Sequence, residues 1–295
     1  MRRIKKSRKL IKGLEMPNDI RSYNVGIFEN TMDVIKKDSA LVESINKSIK
    51  NQLFYLNPVD IKSIMPQHDT DCPVTVTRER SIECAMKWVK RDGASSKVAV
   101  LNFASATRPG GGVATGSSAQ EECICRCTTL YPCLTTKEAE VRFYDPHRKN
   151  VGPLHNDDII YTPDVAIIKN DDYDLLGEPL FIDVITCAAP NLREKNVSNY
   201  NQEREPAPDI SPEELKALHV ARARQILNAA VQNFVDVLVL GAFGCGAFRN
   251  DPEVVAAAYK EVLPEYRKYF KAIEFAVYCR GKDTENYEAF KKELT

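Results

Sequence analysis

Glu121 and Glu122 are adjacent carboxylates at the head of a short amphipathic stretch, and Gly110, Gly111 and Gly112 precede them in NFASATRPGGGVATGSSAQEECICR, residues 102–126. Adjacent carboxylates are candidates for general acid–base work, in which a carboxyl of raised pKa carries the proton. Three glycines in a row carry a conformational cost and add nothing to a core, so a simple turn, which one glycine would serve, does not explain them. Glycine-rich backbone lets amides approach an anion closely, and a helix start adds unpaired N–H groups and the positive end of its dipole. Phosphate is the matching guest. A second loop of this kind, GAFGCGAFRNDP from Gly241 to Pro252, follows an apolar run and precedes a helix. Neither loop fits G-x-x-x-x-G-K-[ST], and neither has an acidic residue placed to read a ribose as the dinucleotide fingerprint requires.

The two glutamates have different prospects. If Ser118 caps the helix, Glu121 occupies its third position and completes a capping box. Glu122 has no such structural duty. Neighbouring helical side chains diverge by about 100°, so the two carboxylates are not expected to aim at one atom. Burial and nearby phosphate charge would raise the pKa of Glu122 and suit it to general acid work. Cys123, Cys125, Cys127 and Cys133 lack the paired C-x-x-C spacing of zinc sites, so no metal is expected there and the thiols read as small buried apolar groups.

The elements that position these groups alternate from Cys72 onward. PVTVT, KVAVLNFA, EPLFIDVITCAAPN, VDVLVLGAF and AIEFAVYC have strand character, and the expectation is that each crossover returns the chain parallel. Between them, RERSIECAMKWVKRDG predicts a helix stopped at Gly93, and Ser211, Pro212 and Glu214 form a capping box that opens a helix to about Gln232. Asp251 and Pro252 start another helix, TENYEAFKKEL closes the chain as a last one, and Leu192 to Ile210 reads as a long polar loop. Such alternation places ligand sites beyond the carboxyl ends of the strands. Before Cys72, DIRSYNVGIFENTMDVIKK spaces Ile20, Tyr23, Ile27, Met32 and Ile35 as a helix does. Arg2, Arg3, Lys5, Lys6, Arg8, Lys9 and Lys12 form a basic tail ahead of it. The expected division is a tail and helical extension over 1–71 and a catalytic domain over 72–295.

Composition narrows the class. The 295 residues are 43% hydrophobic, enough for a sizeable core, and 41 basic residues balance 41 acidic ones, so no global field draws the chain to nucleic acid or membrane. No apolar run approaches the roughly 18 residues of a membrane span. Nine cysteines, an odd number without a secretory apolar region, point to reduced thiols and a cytoplasmic protein, or a nuclear one in a eukaryote.

The span from Gly110 to Glu122, GGG then seven residues then QEE, resembles the signature of the microbial-type poly(ADP-ribose) glycohydrolases, a branch of the macrodomain superfamily. The likeness extends to VLNFASA, LYPCL at Leu130–Leu134, CAAPN at Cys187–Asn191 and GAFGCGAFRNDP, and so covers about Cys72 to Thr295. It implies a three-layer α/β sandwich with a central mixed, mostly parallel sheet and an N-terminal helical extension. By the same resemblance Glu122 is the acid/base, Glu121 binds ribose hydroxyls beside it, and Gly110, Gly111 and Gly112 lie along the diphosphate. Asn102 and Gln120 join the substrate-binding set, as do Gly244, Cys245, Gly246, Ala247 and Phe248, with Phe248 near the distal ribose. The implied activity is hydrolysis of the ribose–ribose bond of poly(ADP-ribose), or action on ADP-ribosylated proteins, with ADP-ribose as product and no metal, cofactor, membrane or sequence-specific nucleic acid involved. Arg108 before Pro109 and Val113 after the glycines depart from the family pattern and bear on adenosine affinity and loop packing. An ADP-ribose-binding reader and a hydrolase of mono-ADP-ribosyl conjugates are the alternative functions.

Overall fold

The computed structural model describes residues 19–150, 152–194 and 206–295. The basic residues of the tail and the middle of the Leu192–Ile210 stretch lie outside these. Among the described residues seven strands form one sheet: β1 (Leu53–Tyr55), β2 (Val74–Thr77), β3 (Val98–Phe103), β4 (Ile159–Lys169), β5 (Leu175–Cys187), β6 (Val237–Leu240) and β7 (Ala272–Ala276), in the order β1-β4-β5-β3-β6-β7-β2. From β5 to β2 every pairing is parallel. The other edge departs from the expected parallel returns, because β4 and β5 form an antiparallel hairpin and β1 pairs antiparallel with β4. Pro163 inside IIYTPDVAIIK removes a ladder donor and argues against a strand there. The chain accommodates it with a register shift between Thr162 and Val165 and a left-handed Asp164 at φ 55°.

The helices are α1 (Ile20–Lys37), α2 (Ser39–Lys50), α3 (Ser81–Asp92), α4 (Gln120–Cys127), α5 (Leu130–Leu134), α6 (Lys137–Ala139), α7 (Asp145–Asn150), α8 (Pro212–Gln232), α9 (Pro252–Val262) and α10 (Glu285–Leu294). Side-chain alternation along the strands divides the core in two. Ala99, Leu101, Leu238 and Leu240 pack beneath α8, α9 and α10, whereas Val98, Val100, Val237 and Val239 pack against α1, α3 and α4 on the opposite face. Helix, sheet and helix therefore make three layers. The capping box at Ser211 and Glu214 forms as the sequence predicts, and Gly93 closes α3 at φ 57°.

The part of the N-terminal segment that is described, residues 19–71, is built into this body: β1 extends the sheet, and α1 lies on the side of α4. Thr31 of α1 is central to the second contact. Its hydroxyl stands 2.6 Å from the Arg126 carbonyl at the end of α4 and receives the fully buried Lys169 ammonium at 2.8 Å. Burial, with no carboxylate partner among the described residues, depresses Lys169 to about 8.

Candidate active site

The carboxyl ends of β3, β5, β6 and β7 lie along one edge of the sheet, and the loops that follow them line a cleft of about 400 Å³. Ser105 and Gly111 come from the loop after β3, Ala189 from that after β5, Gly244, Gly246, Ala247 and Phe248 from that after β6, and Tyr278 from that after β7. Glu121 and Glu122 enter from the first turn of α4.

The expected capping box at Ser118 does not form. The helix starts at Gln120, Ala119 holds the cap position without a side-chain bond, and both glutamates are committed elsewhere. Glu121 Oε2 accepts from the Ser105 N–H at 2.7 Å and Oε1 from Asn102 Nδ2 at 3.4 Å. Glu122 Oε1 accepts from the Gly112 N–H at 2.9 Å. Its other oxygen, Oε2, is buried in the cleft wall with no partner among the described residues. Burial pushes the Glu121 carboxyl up to about 8, the Ser105 N–H opposes that, and the neighbouring Glu122 charge reinforces it. The sequence reading did not anticipate this rise at Glu121.

The glycines explain this arrangement. Gly110 and Gly111 take φ of 66° and 59°, which glycine adopts without strain. A Cβ at Gly111 would stand 2.6 Å from Glu122 Oε1 and 3.0 Å from Glu121 Oε2, one at Gly110 would meet the Tyr131 ring at 2.7 Å, and one at Gly112 would meet Ser117 Oγ at 2.4 Å. Both carboxylates therefore close on one point, contrary to the expected divergence, because long side chains rooted on adjacent positions bend toward the same loop. The Gly112 amide is spent on Glu122, so this loop is first a holder of carboxylates. Helix α1 braces it from behind: Asn24 Nδ2 donates to the Gly116 carbonyl at 2.9 Å, and Phe28 meets Tyr131 edge-on at 4.9 Å.

The second loop presents its amides differently. The N–H groups of Gly246, Ala247 and Phe248 have no acceptor among the described residues, and all three residues line the cleft, so these donors are available to an anion. Of the residues singled out in the sequence, Gly111, Gln120, Glu121, Glu122, Gly244, Gly246, Ala247 and Phe248 reach the cleft wall. Asn102, Gly110, Gly112 and Cys245 do not. Asn102 is fully buried and links Glu121 to Thr186 Oγ1 at 3.2 Å, so it positions a carboxylate instead of facing the cleft. Gln120 uses its amide internally, accepting from the Phe103 N–H at 2.9 Å and donating to the Leu101 carbonyl at 2.7 Å and Ser81 Oγ at 3.0 Å.

Sequence reading missed one end of the cleft. The Arg80 guanidinium stacks over the Tyr278 ring at 4.4 Å, and Asp171 nearby is pushed up to about 6 by burial, against the pull of Arg80. Arg80 and Tyr278 follow the carboxyl ends of β2 and β7, so the rule that placed the glycine loops would have found them too. The nine cysteines are free thiols, with Cys125, Cys127 and Cys133 fully buried. Among the described residues one group has the spacing of a metal site, Glu79 with Cys84 and Glu274, but the Lys87 ammonium stands 2.8 Å from Glu79 and 3.4 Å from Glu274 and supplies the cation there.

This architecture is shared. Residues 27–170 match the family model described as the catalytic domain of microbial-type poly(ADP-ribose) glycohydrolase. The poly(ADP-ribose) glycohydrolase of Thermomonospora curvata is similar over 92% of this chain and 100% of its own, with 27% identity and a TM-score of 0.77; its structure bound to the inhibitor ADP-HPD gives 28%, 92% and 99%, and 0.75. The Deinococcus radiodurans enzyme, in complex with ADP-ribose, is 31% identical over 85% of this chain and 96% of its own, with a TM-score of 0.69. No curated protein matches the sequence. Carboxylates closed on a glycine loop, cleft-lining amides without an acceptor among the described residues and this likeness over nearly the whole length of solved relatives agree: the chain belongs to the microbial-type poly(ADP-ribose) glycohydrolase family.

Proposed function

We propose that the chain is a glycoside hydrolase of the poly(ADP-ribose) glycohydrolase type, with Glu122 as its general acid and base. The observation that carries the assignment is Glu122 Oε2, buried in the cleft wall without a partner among the described residues while Oε1 is fixed by the Gly112 N–H. Glu121 has both oxygens engaged and serves beside it, on the ribose hydroxyls. The Gly246–Phe248 amides take the diphosphate. Protonated Glu122 donates to the departing ribose oxygen as positive charge develops on the distal ribose, and the diphosphate of the substrate steadies that cation. Ionised Glu122 then takes a proton from the attacking water, the exchange of roles that general acid–base catalysis permits. In this reading residues 72–295 carry the chemistry, and α1 holds the glycine loop against it. No helix among the described residues is long and apolar enough to cross a membrane.

The test is Glu122→Gln, with free ADP-ribose read by mass after incubation with poly- and mono-ADP-ribosylated substrates. Release from polymer falls by about a hundredfold or more while calorimetric affinity for ADP-ribose persists. Near-wild-type release by the variant removes Glu122 from the mechanism, and a wild-type protein that binds ADP-ribose without releasing it is a reader.

A further inference from the structure

Asn250 closes the second glycine loop, and nothing in the chemistry above employs it. It is 2% exposed, and its Nδ2 amide donates to the Pro190 carbonyl at 2.7 Å, to the Gly244 carbonyl at 3.1 Å and, more weakly, toward the Phe248 carbonyl at 3.4 Å. One primary amide thus spans two loops that follow different strands, β5 and β6. The approach is close: a Cβ at Gly244, whose φ is 80°, would stand 2.7 Å from both Asn250 Nδ2 and the Ala189 methyl. The Leu192 N–H bonds the Phe248 carbonyl at 2.9 Å and completes the seam.

Three carbonyls around Nδ2 fix which way the amide points, since a flipped Oδ1 would face only other acceptors. Oδ1 must then accept. Its partner is Nε2 of His219 on α8, 2.8 Å away and 2% exposed, so His219 carries its proton on Nε2. Burial holds the imidazole down to about 4, so it stays neutral through the physiological range. A neutral donor suits this position.

We propose that Asn250, held in orientation by His219, is a positioning residue that sets the Gly246–Phe248 amides at their distance from the Ala189 side of the cleft. The proposal rests on ADP-ribose being the ligand of that cleft, with its diphosphate on those amides. The Gly244 and Phe248 carbonyls, at the two ends of the amide run, are both tied to the same nitrogen. Without that nitrogen each carbonyl is left on a single backbone donor, the Asn250 N–H at 3.1 Å for Gly244 and the Leu192 N–H at 2.9 Å for Phe248, so the loop loosens and its donors spread, which weakens anion binding and leaves Glu122 untouched.

The experiment uses the full chain. Asn250→Ala, His219→Phe and His219→Gln are compared with wild type by amide hydrogen exchange over residues 244–248, by calorimetry with ADP-ribose, and by kcat and KM for ADP-ribose release from poly(ADP-ribose). Asn250→Ala is expected to speed exchange in the loop and to raise Kd and KM about tenfold with kcat within about threefold, as expected when binding and not chemistry loses a hydrogen bond. His219→Phe leaves Oδ1 without a donor and moves the same readings in the same direction, while His219→Gln, whose amide can still donate, returns them toward wild type. A residue that merely supported the fold would lower the active fraction, and with it apparent kcat, at constant KM. Unchanged exchange at 244–248, or unchanged Kd and KM in a folded variant, overturns the proposal. Should Asn250→Ala fail to fold, the His219 pair decides, and equal behaviour of Phe and Gln overturns it. Faster exchange in a protein whose wild type does not bind ADP-ribose defeats the functional reading and leaves the loop anchor standing.

Discussion

Replacing Gly111 by alanine separates the two things that glycine does there. Its φ of 59° costs an L-residue about 1–2 kcal/mol wherever it occurs. Its position costs more, because the new methyl stands 2.6 Å from Glu122 Oε1, and ordinary contact begins near 3.4 Å. The carboxylate has to retreat by about 0.8 Å, close to the 1 Å misplacement that lowers a rate by about a hundredfold, and the 2.9 Å bond from the Gly112 N–H is lost with it. Gly281 supplies the control, with φ of 66° and no atom within 4 Å of its added methyl. Both variants are expected to melt a few degrees early, since about 1 kcal/mol shifts the midpoint of a protein this large by about 2–4 °C. Gly111→Ala alone loses kcat, by roughly fifty- to a hundredfold, in a mass-resolved assay of ADP-ribose release. If Gly111→Ala keeps kcat within about threefold of Gly281→Ala, the loop does not set the carboxylate and the reasoning fails.

Glu121→Gln tests the buried proton. A carboxyl raised from 4.5 to about 8 gives the folded state more bound protons than the unfolded one between those values, so it costs no stability below about 4.5 and erodes it as pH climbs toward 8. The variant, which keeps an acceptor for the Ser105 N–H, should flatten the fall of melting temperature between pH 5 and 8; an unchanged slope would mean that Glu121 is not the group. Asn24→Ala removes the 2.9 Å bond to the Gly116 carbonyl, so stability drops by about 1 kcal/mol and kcat declines with it, whereas an unaltered kcat would show that α1 does not steady the loop. Deleting residues 1–12, with their seven basic side chains, leaves affinity for free ADP-ribose unchanged at every ionic strength; if the segment grips polymer, affinity for long poly(ADP-ribose) and its salt dependence both fall. Weaker binding of the monomer would contradict either role.

What the sequence discloses about the site is where the loops must be, not what their amides do. Alternating strands and helices put both glycine segments at carboxyl ends, and there they are. The capping box at Ser211 reads correctly because its partners lie three residues apart and need no tertiary context. The one at Ser118 fails because Glu121 is outbid by Ser105 and Asn102, which only the folded sheet brings near. Pro163 hides β4 for a similar reason, since a bulge that tolerates proline is visible only once β5 lies alongside. Asn250 is silent in the sequence: its acceptors sit up to 60 positions away.

The bracing of α1 carries a cost in time. Its side chains reach Gly116, Arg126 and Lys169, groups 92, 95 and 138 positions distant along the chain. At about 5–20 residues per second of synthesis, this amphipathic helix is made roughly seven to thirty seconds before the last of its partners exists. Phe28 and Ile27 stay without a core for that interval, and the loop that holds the glutamates has no wall behind it until α1 returns. Closure over long sequence separations is slow for the same entropic reason. A nascent chain halted before residue 169 should therefore be the species that a chaperone recognises, and α1 the segment it holds.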